Sequence, residues 1–273
     1  MMTFSIIVPF YNGKEYIRDL LDSIAKLDFS NFELIIVNDC SDLENQLALI
    51  ELVNCFGSII DIKLLHNNEN IGLMRTLNKG LIRSIGKYVI VLGQDDYICN
   101  NHLTVMFEKM ELSSGASGVF CNAYYVYDRK VSSKLVRADK LDRFTSKEVT
   151  FFDLMKWNYV VSTGMCIKRE SLVSIGGFDT TYRNHGEWLT WLKLVSIEPF
   201  LYTDKTVSYY RKHECNITNS MFNSEFLQTF RYYSFVNLSS LKMKPSLRTF
   251  AIFIGVTIKN VTQLFYKLIK SAL

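Results

Sequence analysis

Four short apolar runs, spaced almost evenly through the first hundred residues, do most to limit what this 273-residue chain can fold into. They begin at Phe4 (FSIIVPF), Glu33 (ELIIVN), Ile59 (IIDIKLL) and Lys87 (KYVIVL), so successive starts lie 29, 26 and 28 residues apart. Ile and Val dominate them without polar alternation, as in strands covered on both faces. Between the runs lie helical patterns, with Tyr16, Ile17, Leu20, Leu21 and Ile24 sharing one face at the i, i+3/i+4 spacing of an amphipathic helix. Each interval fits one βαβ unit. The rhythm predicts a mostly parallel, doubly wound α/β sheet flanked by helices, with ligands at the carboxyl ends of the strands.

After Asn100 the pattern changes. The sequence predicts a helix over about 100–112, a strand near Gly118–Tyr127, a polar stretch from Asp128 to Lys147 and a short helix over 148–157. A strand at Met165–Lys168, a helix at Gly186–Ser196 and a strand pair within Pro199–Arg211 follow. The simplest division is one compact domain over 1–220, with halves at 1–100 and 101–220, and a helical appendage over 221–273. With 48% hydrophobic and 21% charged residues, the chain has the composition of a globular protein. Its six cysteines form no CxxC pair, so a zinc ribbon or thioredoxin-type site has no support, and a reducing compartment is expected. The N-terminal stretch has no basic n-region and does not read as a signal peptide.

Three acidic positions fall where such a fold builds its site: Asp39 in Val37–Asp42, the pair Asp95-Asp96 in Leu92–Asp96, and Glu187 after Gly186. Adjacent carboxylates at the end of a buried strand suit a hard divalent cation, which takes oxygen ligands from one or two carboxylates and a substrate phosphate. The plainer reading is that one of them caps the next helix. Arg75, in the segment Asn70–Gly80 with Gly72 and Gly80, could meet a phosphate or be a solvated helix residue. His213, after Tyr209-Tyr210-Arg211-Lys212, is open between a structural and a ligating role.

Taken in order, SIIVPFYNGKEYI, ELIIVNDCSD, NENIGLMRTLNKGL, GKYVIVLGQDD, GMCIKRESLVSIGGFD, GEWLTWLKL and YYRKH, spread over about residues 3–213, resemble a family 2 glycosyltransferase of the GT-A fold. The resemblance implies that Pro9 and Tyr11 border a nucleotide and that Asp39 accepts a hydrogen bond from its base. It places Asp95 near the ribose, Asp96 as the main ligand of Mg²⁺ or Mn²⁺ with Asp95 and His213 beside it, Arg75 against the diphosphate, and Glu187 as catalytic base. The implied activity is metal-dependent, inverting transfer of a hexosyl or N-acetylhexosaminyl group from a nucleotide-diphosphate sugar, a UDP-sugar first. The implied acceptor is a hydroxyl of a glycan or polyprenyl-diphosphate-linked glycan in bacterial polysaccharide biosynthesis.

Three positions depart from the family pattern: Asn38 and Gly93 each stand where an Asp is usual, and Gly186-Glu187 stands for Glu-Asp. They leave open a catalytically degenerate homologue serving as a binding or scaffold subunit. A sugar nucleotidyltransferase would share the layered sheet but needs a Gly-rich phosphate loop, which Pro9–Gly13 is not.

The net charge of +4 is unevenly distributed. No acidic residue follows Glu225, so the last 48 residues carry +7 and the first 225 carry −3. A basic nucleic-acid-binding core is therefore not expected. The tail over 245–271 reads as a basic amphipathic helix whose longest nearly unbroken apolar stretch, Phe250–Ile258, is nine residues. That is far short of the roughly 20 needed to cross a bilayer. It suits either an anionic membrane surface, making the protein cytoplasmic and peripheral on the inner face, or packing against protein.

Overall fold

The three-dimensional structure is a computed structural model. The structure describes residues 1–272 except Ser114, Ala138, Asp139, Ser146, Arg183, Cys215 and 217–225; for 226–230 and 263–272 it describes the backbone alone. The apolar runs form β1 (Phe4–Phe10), β2 (Phe32–Asn38), β3 (Ile62–His66) and β4 (Tyr88–Val91). Between them lie α1 (Ile17–Ile24), α2 (Leu43–Phe56) and α3 (Leu73–Arg83). β1 lies between β2 and β4 and pairs in parallel with both, and β3 extends the parallel set beyond β2. Both outer faces of β1 and β2 are covered, which is why their apolar runs show no alternation. α3 lies close against β1: a Cβ on Gly80 would fall 2.5 Å from Ile7 Cγ2. Gly80 thus admits the sheet rather than a ligand.

The second half supplies β5 (Tyr97–Ile98), α4 (His102–Glu111), β6 (Gly118–Tyr127), β7 (Lys130–Leu135), α5 (Phe151–Lys156) and β8 (Met165–Lys168). It continues with α6 (Arg169–Ser174), α7 (Glu187–Ile197) and β9 (Phe200–Arg211). β8 enters antiparallel between β4 and β6, and the sheet order becomes β3-β2-β1-β4-β8-β6-β9-β5, with β7 on β6. Two expectations change here. Pro199–Arg211 is one twelve-residue strand, not a pair, because β6 and β5 give it partners on both sides. The polar stretch after Asp128 holds β7, joined to β6 through Asp128 and Arg129, both with positive φ (45° and 64°). A hairpin turn of that hand favours Asn or Gly, and Arg129 hides it from a sequence reading.

α8 (Phe226–Met243) and α9 (Leu247–Ala272) complete the chain. Tyr232 and Val236 of α8 belong to the core, and Ile252 and Phe253 of α9 pack against it. The side of α9 bearing Leu247, Phe250, Ile254 and Ile258 stays exposed. The C-terminal part of the tail read above as amphipathic, from residue 263 on, lies outside the described side chains. Among the described residues no helix is long and apolar enough to cross a membrane.

One buried charge ties the parallel strands together. Glu33, on β2, accepts hydrogen bonds from Ser5 Oγ and the Ile85 N–H (2.8 Å), and pairs with Lys63 of β3. Burial pushes its carboxyl pKa up, but the hydrogen bonds from Lys63, Ser5 and Ile85 outweigh that and leave it below the usual range. A depressed folded pKa stabilises the fold above the unfolded value of about 4.3, and the benefit fades as pH falls through the folded value. Glu33→Gln is expected to lower stability at pH 7 by about 1–3 kcal/mol. Urea midpoints measured from pH 7 to 3 should converge for variant and wild type in acid; parallel curves would remove Glu33 from this role.

Candidate active site

The carboxyl ends of β1, β2 and β4 meet at one edge, as the doubly wound pattern requires. After β1 the chain turns through Asn12, whose φ is 49°. Asn12 N–H donates to Ser41 Oγ (3.0 Å), and Asn12 Oδ1 accepts from Asp42 N–H (3.0 Å). Opposite, the Gln94 side chain accepts from Tyr11 N–H (2.8 Å) and donates to Tyr11 O (3.0 Å). A Cβ at Gly13 would lie 2.3–2.6 Å from the Gln94 amide, so glycine there leaves room for this two-point clamp. Pro9 is half-buried at the end of β1 and Tyr11 is 47% exposed, its ring open to a ligand.

Asp39 lies where expected, but its carboxylate is engaged within the protein. Oδ1 accepts from Asn67 Nδ2 (2.7 Å) and Ile71 N–H (2.9 Å), and Oδ2 from Gly72 N–H (2.9 Å). The left-handed φ of Gly72 (86°) turns these amides inward at the start of α3. Asn38 donates toward His66 Nδ1 (3.3 Å) and accepts from Ser41 N–H (3.0 Å), a pairing of opposite kinds that an amide can serve and a carboxylate cannot.

The two adjacent aspartates have separate fates. Asp96 is 4% exposed; its Oδ2 accepts from Thr163 Oγ1 (2.6 Å) and its Oδ1 from Arg211 N–H (2.9 Å). Burial first, then the neighbouring Asp95 charge, holds its pKa well above the usual range, against the two hydrogen bonds. Each oxygen of Asp96, the expected main metal ligand, thus already accepts one hydrogen bond inside the fold. Asp95 faces outward, its Oδ2 2.8 Å from His213 Nε2 and 3.1 Å from Asn216 Nδ2. The His213 ring stacks on Tyr16 at 4.7 Å, and His213 N–H donates to Asn216 Oδ1 (2.7 Å). Arg211 joins these parts, its Nε donating to Asp95 O (2.9 Å) and its guanidinium pairing with Asp19 (2.7 Å).

Two cis ligands at the roughly 2.1 Å distance of Mg²⁺ or Mn²⁺ lie about 3 Å apart. The Asp95–His213 separation of 2.8 Å matches that spacing, and carboxylate with imidazole is a donor set such ions accept. Among the described residues no three His, Cys, Asp or Glu side chains converge, so further ligands would come from diphosphate and water. At Gly93 a Cβ would fall 2.9 Å from Asp95 Oδ1 and 3.2 Å from Asp96 Oδ2, so a third carboxylate would crowd the pair.

Glu187 opens α7, and burial raises its carboxyl pKa against a hydrogen bond from the Ser162 side chain. The preceding glycine is required by contact, since a Cβ at Gly186 would lie 1.8 Å from Asp179 O. The segment before it is held from two sides, by Asn184 Oδ1 accepting from Leu73 N–H (3.1 Å) and by Tyr232 of α8 donating to His185 O (2.8 Å). Arg75 is exposed on α3 and makes no ion pair among the described residues. The structure thus gathers Pro9, Tyr11, Asp39, Asp95, Asp96 and His213 at the sheet edge. Gln94, Arg211, Asn216 and Tyr232 were not singled out from sequence, and only the position of Gln94 beside Asp95-Asp96 marked any of them.

The glycosyl transferase family 2 profile matches residues 5–176. An uncharacterized glycosyltransferase of Haemophilus influenzae is 26% identical over 241 residues, covering 85% of this chain and 88% of that one. The Staphylococcus aureus poly(ribitol-phosphate) beta-N-acetylglucosaminyltransferase TarS is 36% identical over 101 residues, but these are 36% of this chain and 17% of TarS. The crystal structure of TarS 1–349 in complex with UDP-GlcNAc superposes with a TM-score of 0.66 at 19% identity, over 93% of this chain and 79% of that one. A Pyrobaculum calidifontis mannosyltransferase in complex with GDP-Man and Mn²⁺ gives 0.64 at 15% identity, over 99% and 80%. These neighbours establish the GT-A fold.

The Gly13–Gln94 contact is a single unit, so its two substitutions should not add. Gly13→Ala and Gln94→Ala are each expected to lower stability by about 1–2 kcal/mol. In the Gln94→Ala background, Gly13→Ala should cost at least about 0.5 kcal/mol less than it does alone. A double-mutant cycle by urea unfolding reads this directly, and additive values would dissolve the clamp.

Proposed function

Because the chain belongs to glycosyl transferase family 2, we propose that it is an inverting enzyme moving a hexosyl or N-acetylhexosaminyl group from a UDP-sugar to a hydroxyl. The acceptor in this reading is a glycan or polyprenyl-diphosphate-linked glycan of bacterial polysaccharide biosynthesis. The observation that carries it is the meeting of Asp95 and His213, 2.8 Å apart on the open side of an edge whose inner side Asp96 and Arg211 hold. Residues 1–100 form the nucleotide half and 101–220 the acceptor half, with 221–273 as a tail. Tyr11 and Pro9 border the nucleotide, Asp39 uses its remaining Oδ2 lone pair for the base, and Arg75 swings to the diphosphate. A TarS structure with UDP-GlcNAc and the mannosyltransferase structure with GDP-Man and Mn²⁺ support a nucleotide-sugar donor and a divalent ion.

In one displacement the acceptor oxygen bonds to the anomeric carbon as the bond from that carbon to the diphosphate oxygen breaks, and the electron pair leaves with the diphosphate. Glu187 takes the acceptor's proton as general base. Attack opposite the leaving group inverts the anomeric centre. A divalent ion on Asp95 and His213 would stabilise charge on the leaving diphosphate as a Lewis acid. Asp96 positions Asp95 through the shared turn. The three departures from the family pattern each satisfy a local packing or hydrogen-bonding need, which favours an active enzyme over a scaffold.

Glu187→Gln is expected to reduce turnover at least a hundredfold, the scale of general-base catalysis, while leaving UDP affinity unchanged by calorimetry. The raised pKa of Glu187 puts the acid limb of the kcat profile above that of an ordinary carboxylate, with activity falling as pH drops through it. Asp95→Asn should weaken Mn²⁺-dependent UDP binding, and Asp96→Asn should instead lower the melting temperature. Wild-type turnover in Glu187→Gln, or full activity after EDTA, sinks the corresponding assignment.

A second element of the proposal concerns location. On α9 the exposed Leu247, Phe250, Ile254 and Ile258 recur along one side, with Arg248 and Lys259 also exposed. With no acidic residue after Glu225, this face suits the anionic inner surface of a cell membrane. Phosphatidylglycerol vesicles should co-sediment the protein at low salt and release it at high salt, and Phe250→Ser/Ile254→Ser should abolish the effect. Equal sedimentation of the variant rejects the membrane role.

A further inference from the structure

Three cations close in sequence, Arg137, Lys140 and Arg143, rest on aromatic rings. Arg137 Cζ lies 4.6 Å and Lys140 Nζ 3.9 Å from the centre of the Trp157 ring, and Arg143 Cζ lies 4.4 Å from that of Tyr159. Trp157 and Tyr159 pack edge to face at 4.9 Å, so the three cations share one platform. No ion pair involving them occurs among the described residues. Arg137 is the most telling: among the described residues its buried Nε has no hydrogen-bond partner, and burial lowers its pKa. A desolvated guanidinium of this kind is costly unless an anion completes it. Cation–π contacts place a positive charge without cancelling it, whereas a salt bridge would do both.

The platform also leads toward the proposed base. The chain runs from Tyr159 to Ser162, whose side chain hydrogen-bonds Glu187. Arg137 lies near enough to Tyr233 to influence its ionisation, and Tyr233 packs edge to face on Trp188, the neighbour of Glu187, at 5.5 Å. We propose that Arg137, Lys140 and Arg143 bind the acceptor, and that the acceptor is therefore a phosphodiester-containing chain, with its phosphates on the cations and a hydroxyl presented to Glu187. Guanidinium forks suit phosphate geometry, and two of the three residues are arginines. This deepens the function proposed above and rests on Glu187 being its base.

The test titrates a synthetic ribitol-phosphate octamer, and neutral maltooctaose as control, into the full chain with UDP and Mn²⁺ present. Wild type should bind the octamer and not maltooctaose. Arg137→Met and Lys140→Ala/Arg143→Ala should each weaken octamer binding about tenfold or more, as expected for lost charge-assisted hydrogen bonds, while UDP affinity stays constant. Lys140 and Arg143 are exposed, so their variant reads binding even if Arg137→Met fails to fold. Octamer affinity unchanged in Lys140→Ala/Arg143→Ala, equal binding of maltooctaose, or displacement of the octamer by phosphatidylglycerol vesicles overturns the proposal. Failure of wild type to bind UDP would instead overturn the nucleotide-sugar reading, with the octamer titration still deciding this one.

Discussion

The buried guanidinium of Arg211 is the interaction on which the site depends. Only 5% of its side chain is exposed, and an isolated charge at that depth would be costly. It is completed by Asp19 of α1 and the Asp95 carbonyl, and it lies 5.3 Å and 5.8 Å from the ring centres of Tyr16 and Tyr97. Its own backbone N–H meets Asp96. Three stretches far apart in the chain, around residues 16–19, 95–97 and 211, must therefore assemble together, since omitting one strands a charge or a carbonyl. β5 makes the arrangement possible: pairing Tyr97 with Tyr209 brings the turn carrying both aspartates alongside the end of β9.

This constraint divides the labour between two neighbouring carboxylates. Asp96 is drawn inward by Thr163 and the Arg211 amide, so Asp95 remains on the open side, where His213 and Asn216 reach it. Like charges so close would both resist ionisation in the interior. One carboxylate is therefore buried against Thr163 and the Arg211 amide, and the other stands on the open side beside His213. Gly93 fits the same logic, because a side chain there would press on both carboxylates.

The parallel strands were legible in sequence because burial on both faces leaves a local signature in runs such as FSIIVPF. So was the edge where the carboxyl ends of β1, β2 and β4 meet, which follows from topology alone. Which aspartate faces outward was not legible. Its deciding partners, Thr163 and Arg211, lie 67 and 115 positions away, and adjacent residues in a turn look alike in sequence. Gln94 and Asn216 escaped for the same reason, their partners being 83 and 121 positions distant. The departures at Asn38 and Gly186 suggested lost function in sequence, yet each meets a requirement set by a neighbour, His66 with Ser41 in one case and Asp179 O in the other.

The same reasoning revises the C-terminal segment. Charge counting set it apart as a +7 tail, but charge does not reveal packing. Tyr232 fills the core and holds the His185 carbonyl two residues before Glu187, so α8 forms part of the wall behind the proposed base. α9 then has two apolar sides, one with Ile252 and Phe253 packed inward and one with Leu247, Phe250, Ile254 and Ile258 exposed. A helix apolar on two sides needs two partners. The protein core supplies one, on the side of Ile252 and Phe253, while the side of Leu247, Phe250, Ile254 and Ile258 stays exposed next to the α8 that holds the segment before Glu187.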